Sequence, residues 1–138
     1  MPLPIKDYAL IGGCHTAALV GKDGSIDWLC LPRFDSAACF AALLGEPRHG
    51  RWLIAPAGAV RHVERRYRDG TLILETDFET EEGAVRLVEC MPLSDMRQSV
   101  VRLVQGLRGR VAMRMELVIR FDYGSIVPWV RQRDHGLV

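Results

Sequence analysis

The chain has 138 residues, with 18 basic against 17 acidic side chains and a net charge of +1, and it is 49% hydrophobic and 25% charged. That length suits one domain of the usual ~100–200 residues, whose core removes roughly two-thirds of the unfolded surface from water without disulfides or a structural metal. The composition excludes disordered, collagenous and coiled-coil chains. No run reaches the ~18 apolar residues of a membrane-spanning helix, and the balanced charge lacks the basic footprint by which proteins neutralise nucleic-acid phosphates.

In chain order, residues 16–20 and 25–31 read as strands joined across Gly21-Lys22-Asp23-Gly24, where Asp-Gly is a strong hairpin turn. Residues 36–44 read as one short helix: Asp35 or Ser36 caps it, the apolar run 37–44 propagates it and Gly45 ends it. Residues 50–55 and 60–67 follow as strands separated by Pro56-Ala57-Gly58. Across residues 71–80, Leu72, Leu74, Thr76 and Phe78 alternate with Ile73, Glu75, Asp77 and Glu79, the pattern of a half-buried strand. Glu81-Glu82-Gly83 turns the chain into residues 84–91, a third strand spans 99–107, and after Arg108-Gly109 residues 110–121 place Val111, Met113, Met115, Leu117, Ile119 and Phe121 on one face. The second half therefore reads as an antiparallel meander, and the whole chain as a mainly β fold, an antiparallel β-sandwich with one short helix near residues 36–44.

Few residues advertise chemistry. Cys14, Cys30, Cys39 and Cys90 form no C-x-x-C pair, and the last three sit among apolar neighbours, as reduced buried thiols do. Cys14-His15 lacks the second spaced pair of a metal site, so no metal or other cofactor is expected. Glu75, Asp77, Glu79, Glu81 and Glu82 cluster at one hairpin, and two of them at about 5–9 Å would suit a glycosidase pair, but a solvated strand face has the same spacing and is the better reading. Arg61, Arg65, Arg66 and Arg68 read as an exposed edge strand kept from unwanted pairing by charge, ahead of a phosphate or nucleic-acid contact. The four histidines show no triad logic, and no catalytic residue is assigned.

The segment Gly24-Ser25-Ile26-Asp27-Trp28-Leu29-Cys30-Leu31-Pro32-Arg33-Phe34-Asp35-Ser36 differs in kind. Trp28 and Phe34 would offer apolar sugar faces a platform, with Arg33 and Asp35 for the hydroxyls. On residue types alone, a structural role is favoured: Trp28 and Phe34 fill core while Arg33 and Asp35 pair and fix the loop.

This segment, with Asp7-Tyr8-Ala9-Leu10-Ile11-Gly12, Thr16-Ala17-Ala18-Leu19-Val20, Arg66-Tyr67, Leu74-Glu75-Thr76, Glu89-Cys90-Met91-Pro92 and Arg120-Phe121-Asp122-Tyr123-Gly124, resembles the start of bacterial glycoside hydrolase family 15 proteins, the glucoamylase-like and trehalase-like enzymes. The resemblance implies an N-terminal β-sandwich of the supersandwich type, followed by a catalytic (α/α)6 barrel whose two glutamates act as general acid and base on an α-glucoside. That barrel is absent from these 138 residues, so the chain alone is expected to be inactive. Its expected partners are the barrel of the same parent and, through it, the α-glucoside, with Trp28, Arg33, Phe34 and Asp35 as candidate substrate-binding residues. Ala37 and Ser125 depart from the proline and arginine that the family's pattern places there; the second change puts in doubt any contact of an arginine there with the catalytic domain.

The resemblance also implies a sandwich longer than this chain, so a single truncated N-terminal domain at residues 1–138 is expected, with a homo-oligomer covering its open faces. A cytoplasmic location is expected because residues 1–8 lack a secretory pattern. The rival reading is a free-standing β-sandwich module that binds carbohydrate or protein, and nucleic-acid binding through residues 61–68 ranks last.

Overall fold

The alternation becomes two packed antiparallel sheets in the computed structural model, which describes residues 1–94 and 96–137. The strands in chain order are β1 (Tyr8–Gly12), β2 (Ala17–Gly21), β3 (Ser25–Cys30), β4 (Ala38–Phe40), β5 (Arg51–Pro56), β6 (Val60–Tyr67), β7 (Leu74–Thr80), β8 (Gly83–Cys90), β9 (Val101–Gly109), β10 (Met113–Val118), β11 (Gln132–Arg133) and β12 (Gly136–Leu137). One sheet runs β1-β2-β3-β5-β10 and the other β6-β7-β8-β9, while β11 and β12 form a small separate ribbon. In the first sheet β3 carries two partners end to end, β5 against Ser25 and Ile26 and β4 against Leu29 and Cys30.

The core lies where the inward residues of both sheets meet. Leu74, at the start of β7, packs with Ile11, Ala18, Val20, Ile26 and Leu29 of the first sheet. Further along, Phe78, Val85 and Leu87 meet Ile54. Leu74, Thr76 and Phe78 are each 1% exposed, so the face read from their alternation is the face that is buried. Each large side chain so enclosed contributes about 1.5–3 kcal/mol of transfer free energy. Polar ties cross the same space: Arg65 on β6 donates to the carbonyls of Val20 and Asp7, and the Tyr67 hydroxyl donates to Leu10 O.

The Asp23-Gly24 turn sits where it was expected, between β2 and β3, and it requires glycine. Gly24 has φ +85°, and a Cβ there would lie 2.2 Å from the Ile54 carbonyl oxygen. The backbone approaches that closely because Ile54 N donates to Gly24 O at 3.0 Å.

Two expectations fail. No α-helix spans residues 36–44. Those residues supply β4 and a single 3-10 turn at Ala42–Leu44. A helix of eight residues is marginal without one-sided packing, whereas Ala38, Cys39 and Phe40 are all buried, paired with β3 on one side, and on the other the carbonyls of Ala38 and Cys39 accept from Tyr123 N and Arg120 N. The meander of the second half also stops at β9. β10 crosses to the other sheet and pairs with β5, where Met113 and Leu117, opposite Pro56 and Trp52, pack against the core, while Met115 opposite Ile54 stays 64% exposed. β1, which lies opposite β2, and the β11-β12 ribbon are strands that the alternation alone does not announce. The expected edge strand is confirmed, since β6 ends the second sheet.

Candidate functional site

The chain leaves β3 at Cys30, passes a cis Leu31-Pro32 peptide and forms a tight exposed loop before entering β4. Buried Thr16 fixes its base, with Oγ1 donating to Cys30 O at 2.6 Å. Phe34 N donates to His15 O at 3.0 Å, and Ser36 closes the turn in both directions, its N–H donating to Arg33 O and its hydroxyl accepting from Arg33 N. Arg33 and Asp35 pair, with Nε 3.0 Å from Oδ1 and Nη2 3.1 Å from Oδ2, although their side chains are 69% and 71% exposed. Phe34 is 64% exposed and fills no core. With Cys14 and His15 these three residues line an open concavity of about 390 Å³.

Trp28 does not stand with them. It is half-buried against Cys30, Ala38 and Ala41, and its ring lies 6.1 Å from that of Tyr123 at an interplanar angle of 36°. Tyr123 comes from the far end of the chain and is held beside β4, its N–H donating to Ala38 O at 3.2 Å. The four candidates therefore divide: Arg33, Phe34 and Asp35 on the rim, Trp28 behind β4. The motif Asp122-Tyr123-Gly124 stands out in the sequence, but nothing local to it signals that Tyr123 meets Trp28. Asp27, the remaining acidic residue of the segment, is 6% exposed and accepts from Tyr8 OH and Ser25 Oγ, which ties β1 to β3.

Glu75 and Asp77 of β7 correct the solvated-face reading, whereas Glu79, Glu81 and Glu82 are exposed as that reading expects. The side chains of Glu75 and Asp77 are only 8% and 18% exposed, because arginines from both neighbouring strands close over them. Arg68 and Arg66 of the β6 side and Arg86 of β8 hold Glu75, while Arg86 and Arg66 hold Asp77. Hydrogen bonding from Arg68 holds the Glu75 carboxyl below the usual carboxylate range, and Arg86 does the same for Asp77. Two carboxylates so held stay ionised, which leaves no general acid between them. The arginine run of β6 is engaged by the same contacts, with Arg65 turned inward and Arg61 paired to Glu81 at 3.0 Å.

Cys30 and Cys39 are buried as expected, Cys90 is half-buried and Cys14 is exposed. Among the described residues no group of three potential ligands stands ready for a metal ion, and no helix is long and apolar enough to cross a membrane. Along the first sheet and the segment before β9 an apolar groove of about 390 Å³ opens, lined by Leu29, Phe40, Trp52, Val100, Leu117 and Ile119 among others.

Comparison with known proteins gives one consistent family. The family described as trehalase-like, N-terminal, matches residues 1–138. A trehalase of Mycolicibacterium smegmatis is 30% identical over 142 residues, covering 89% of this chain and 21% of that protein. A trehalase of Thermoplasma volcanium is 30% identical over 141 residues, covering 97% of this chain and 22% of that protein. Trehalase 2 of Sulfolobus acidocaldarius is 33% identical over 132 residues, covering 96% and 21%. The chain thus spans about a fifth of the length of these curated relatives. No solved structure gives a significant match.

Proposed function

Because the chain belongs to the trehalase-like N-terminal family, we propose that it is the non-catalytic first domain of an α-glucosidic glycoside hydrolase, and that it packs on a following (α/α)6 catalytic domain and lends a loop to the substrate pocket. The observation that carries this reading is the family match over residues 1–138 beside relatives named trehalase that are about five times longer. Two features of the chain support it. The carboxylates nearest to a glycosidase pair, Glu75 and Asp77, are locked by arginines. The apolar surface left along β9, with Val101 43% and Leu103 57% exposed on one face and Val104 46% exposed on the other, suits burial against a further domain of the same parent.

The rim of Arg33, Phe34 and Asp35 is the part of this domain that would face sugar. It is rigid in backbone yet open in side chain, so the Arg33 guanidinium and the Asp35 carboxylate can exchange their mutual pairing for sugar hydroxyls at little cost. The test is hydrolysis of trehalose and maltose by the 138-residue chain and by the full-length parent. Turnover is expected from the parent alone, and turnover by the chain above a heat-killed blank overturns the reading. In the parent, Arg33→Ala is expected to raise KM for the sugar without shifting the melting temperature.

A further inference from the structure

Three consecutive residues at the turn after β10, Asp122 (φ +49°), Tyr123 (φ +56°) and Gly124 (φ +96°), occupy the left-handed region. Glycine at 124 has an evident cause, since a Cβ there would meet His49 at 3.0–3.1 Å. Tyrosine at 123 has no such cause. A bulky side chain is a genuine outlier in that conformation, and glycine would adopt it without cost. The turn is nevertheless built firmly: Phe121 and Ile126 exchange backbone hydrogen bonds at 2.8 and 3.0 Å, Arg120 N donates to Cys39 O, and the Ser125 hydroxyl donates to Asp122 O.

The tyrosine ring does not repay this strain by burial. Tyr123 is 50% exposed, and its ring contact is the tilted pairing with Trp28, itself braced from behind by Cys30, Ala38 and Ala41. Strain held where the side chain stays open is a pattern of ligand-contacting positions. Next in the chain is the exposed Asp122, whose carboxylate, among the described residues, accepts a single long 3.3 Å bond from Ser125 Oγ. Tyr123 N bonds Ala38 O, two residues beyond the Ser36 that closes the Arg33–Asp35 turn, so the platform and that rim hang on the same short strand.

We propose that Trp28 and Tyr123 form a stacking platform for a pyranose ring, with the Asp122 carboxylate accepting from its hydroxyls; the choice of an α-glucosyl unit as occupant rests on the function proposed above. An apolar sugar face covers the two tilted rings as another aromatic would, and an ionised carboxylate is an acceptor-only partner for adjacent hydroxyls.

The test is titration of the isotope-labelled 138-residue chain with maltose and with trehalose, using glycerol as a polyol control and reading the Trp28 indole and the Ala38, Tyr123 and Ser125 amides by NMR. Saturable shifts confined to these groups are expected, with a Kd on the order of millimolar. Tyr123→Gly, which relieves the backbone while removing the ring, is expected to keep or raise the melting temperature and to weaken binding at least about tenfold. Absence of shifts, shifts unchanged in Tyr123→Gly, shifts equalled by glycerol, or a marked fall in melting temperature each overturn the platform. The wider reading fails separately, if the chain alone hydrolyses sugar.

Discussion

Arg102 and Glu89 face each other at 2.6 Å, Nη2 to Oε1, and neither side chain reaches solvent. Arg102 comes from β9, yet its remaining donors go to the carbonyl oxygens of Trp52 and Gly24 in the opposite sheet, and its guanidinium lies 5.1 Å over the Trp52 ring. One side chain thus pairs a strand neighbour and bolts the two sheets together. Burial pushes the Glu89 carboxyl upward while Arg102 opposes the shift.

Removing one member of this pair leaves the other charge buried and alone. Arg102→Met is expected to cost about 3–5 kcal/mol, and Glu89→Gln about 1–3 kcal/mol, because an amide still accepts from the guanidinium. In the double variant Arg102→Met/Glu89→Leu, stability should partly recover, since two apolar groups of similar volume replace two desolvated ones. Urea denaturation of the four proteins measures this. A cost below 1 kcal/mol for Arg102→Met would remove the pair from its role as inter-sheet tie.

Acid should act through Glu75 and Asp77. Both carboxyls lie below their ordinary range in the folded chain, Glu75 chiefly through Arg68 and Asp77 chiefly through Arg86. A depressed folded pKa gives stability that is complete above the unfolded value, near pH 4, and that is lost as pH falls through the folded value. Melting temperature should therefore hold down to about pH 5 and fall steeply toward about pH 3. Glu75→Gln/Asp77→Asn should melt lower at neutral pH and lose less on acidification. Parallel pH profiles for the two proteins would place the acid sensitivity elsewhere.

The tie between β1 and β3 gives a third expectation. Tyr8 OH donates to Asp27 Oδ2 at 2.6 Å, and burial followed by the Asp27 carboxylate raises the phenol well above its ordinary range. The hydroxyl therefore stays a neutral donor throughout the physiological range. Tyr8→Phe keeps the ring but leaves that carboxylate oxygen short of a donor, a loss of about 1–3 kcal/mol. The loss should be the same at pH 6 and pH 9, as read by thermal melts, and a loss that grows toward pH 9 would show that the phenol ionises there.

The residues singled out for sugar should separate in stability. Trp28 packs on Cys30, Ala38 and Ala41, so Trp28→Ala should cost about 2 kcal/mol or more. Arg33→Ala and Phe34→Ala remove exposed side chains and should stay within about 0.5 kcal/mol. Calorimetry of the three variants decides this, and a large loss for Arg33→Ala would return the rim to a structural role.

How far the sequence foretold this depended on whether a residue's partner was near in the chain. Leu74, Thr76 and Phe78 announced their buried face because alternation is local, and Asp23-Gly24 announced its turn for the same reason. Residues 38–40 carried no such signal, since a strand buried on every side and a helix buried on every side show the same apolar run. Glu75 and Asp77 looked solvated because alternation names a face but not what the neighbouring strands bring to it. The register that sets Arg66 opposite Glu75 and Arg86 opposite Asp77 is a property of the assembled sheet. Trp28 reads from its own segment as core or as a sugar platform, and the structure packs it on Cys30, Ala38 and Ala41. Tyr123, its ring partner, became visible only when β4 brought the two ends of the chain together.

The thiols report on that same β3-β4 pairing. Cys39 Sγ donates to Leu29 O at 3.4 Å across the two strands, and burial pushes its thiol up to about 11, with Cys30 raised by the same cause. A thiol that is both buried and protonated reacts slowly with a disulfide reagent, because the thiolate is the nucleophile. Cys14 is exposed and Cys90 half-buried. Native chain treated with an aromatic disulfide at pH 8 should therefore show one fast thiol and one slower one, with Cys30 and Cys39 released only in denaturant. Cys14→Ser should abolish the fast phase. Should Cys39 react quickly in the native chain, the strand that carries both the Arg33–Asp35 turn and the Tyr123 anchor opens readily, and neither the rim nor the platform is preorganised.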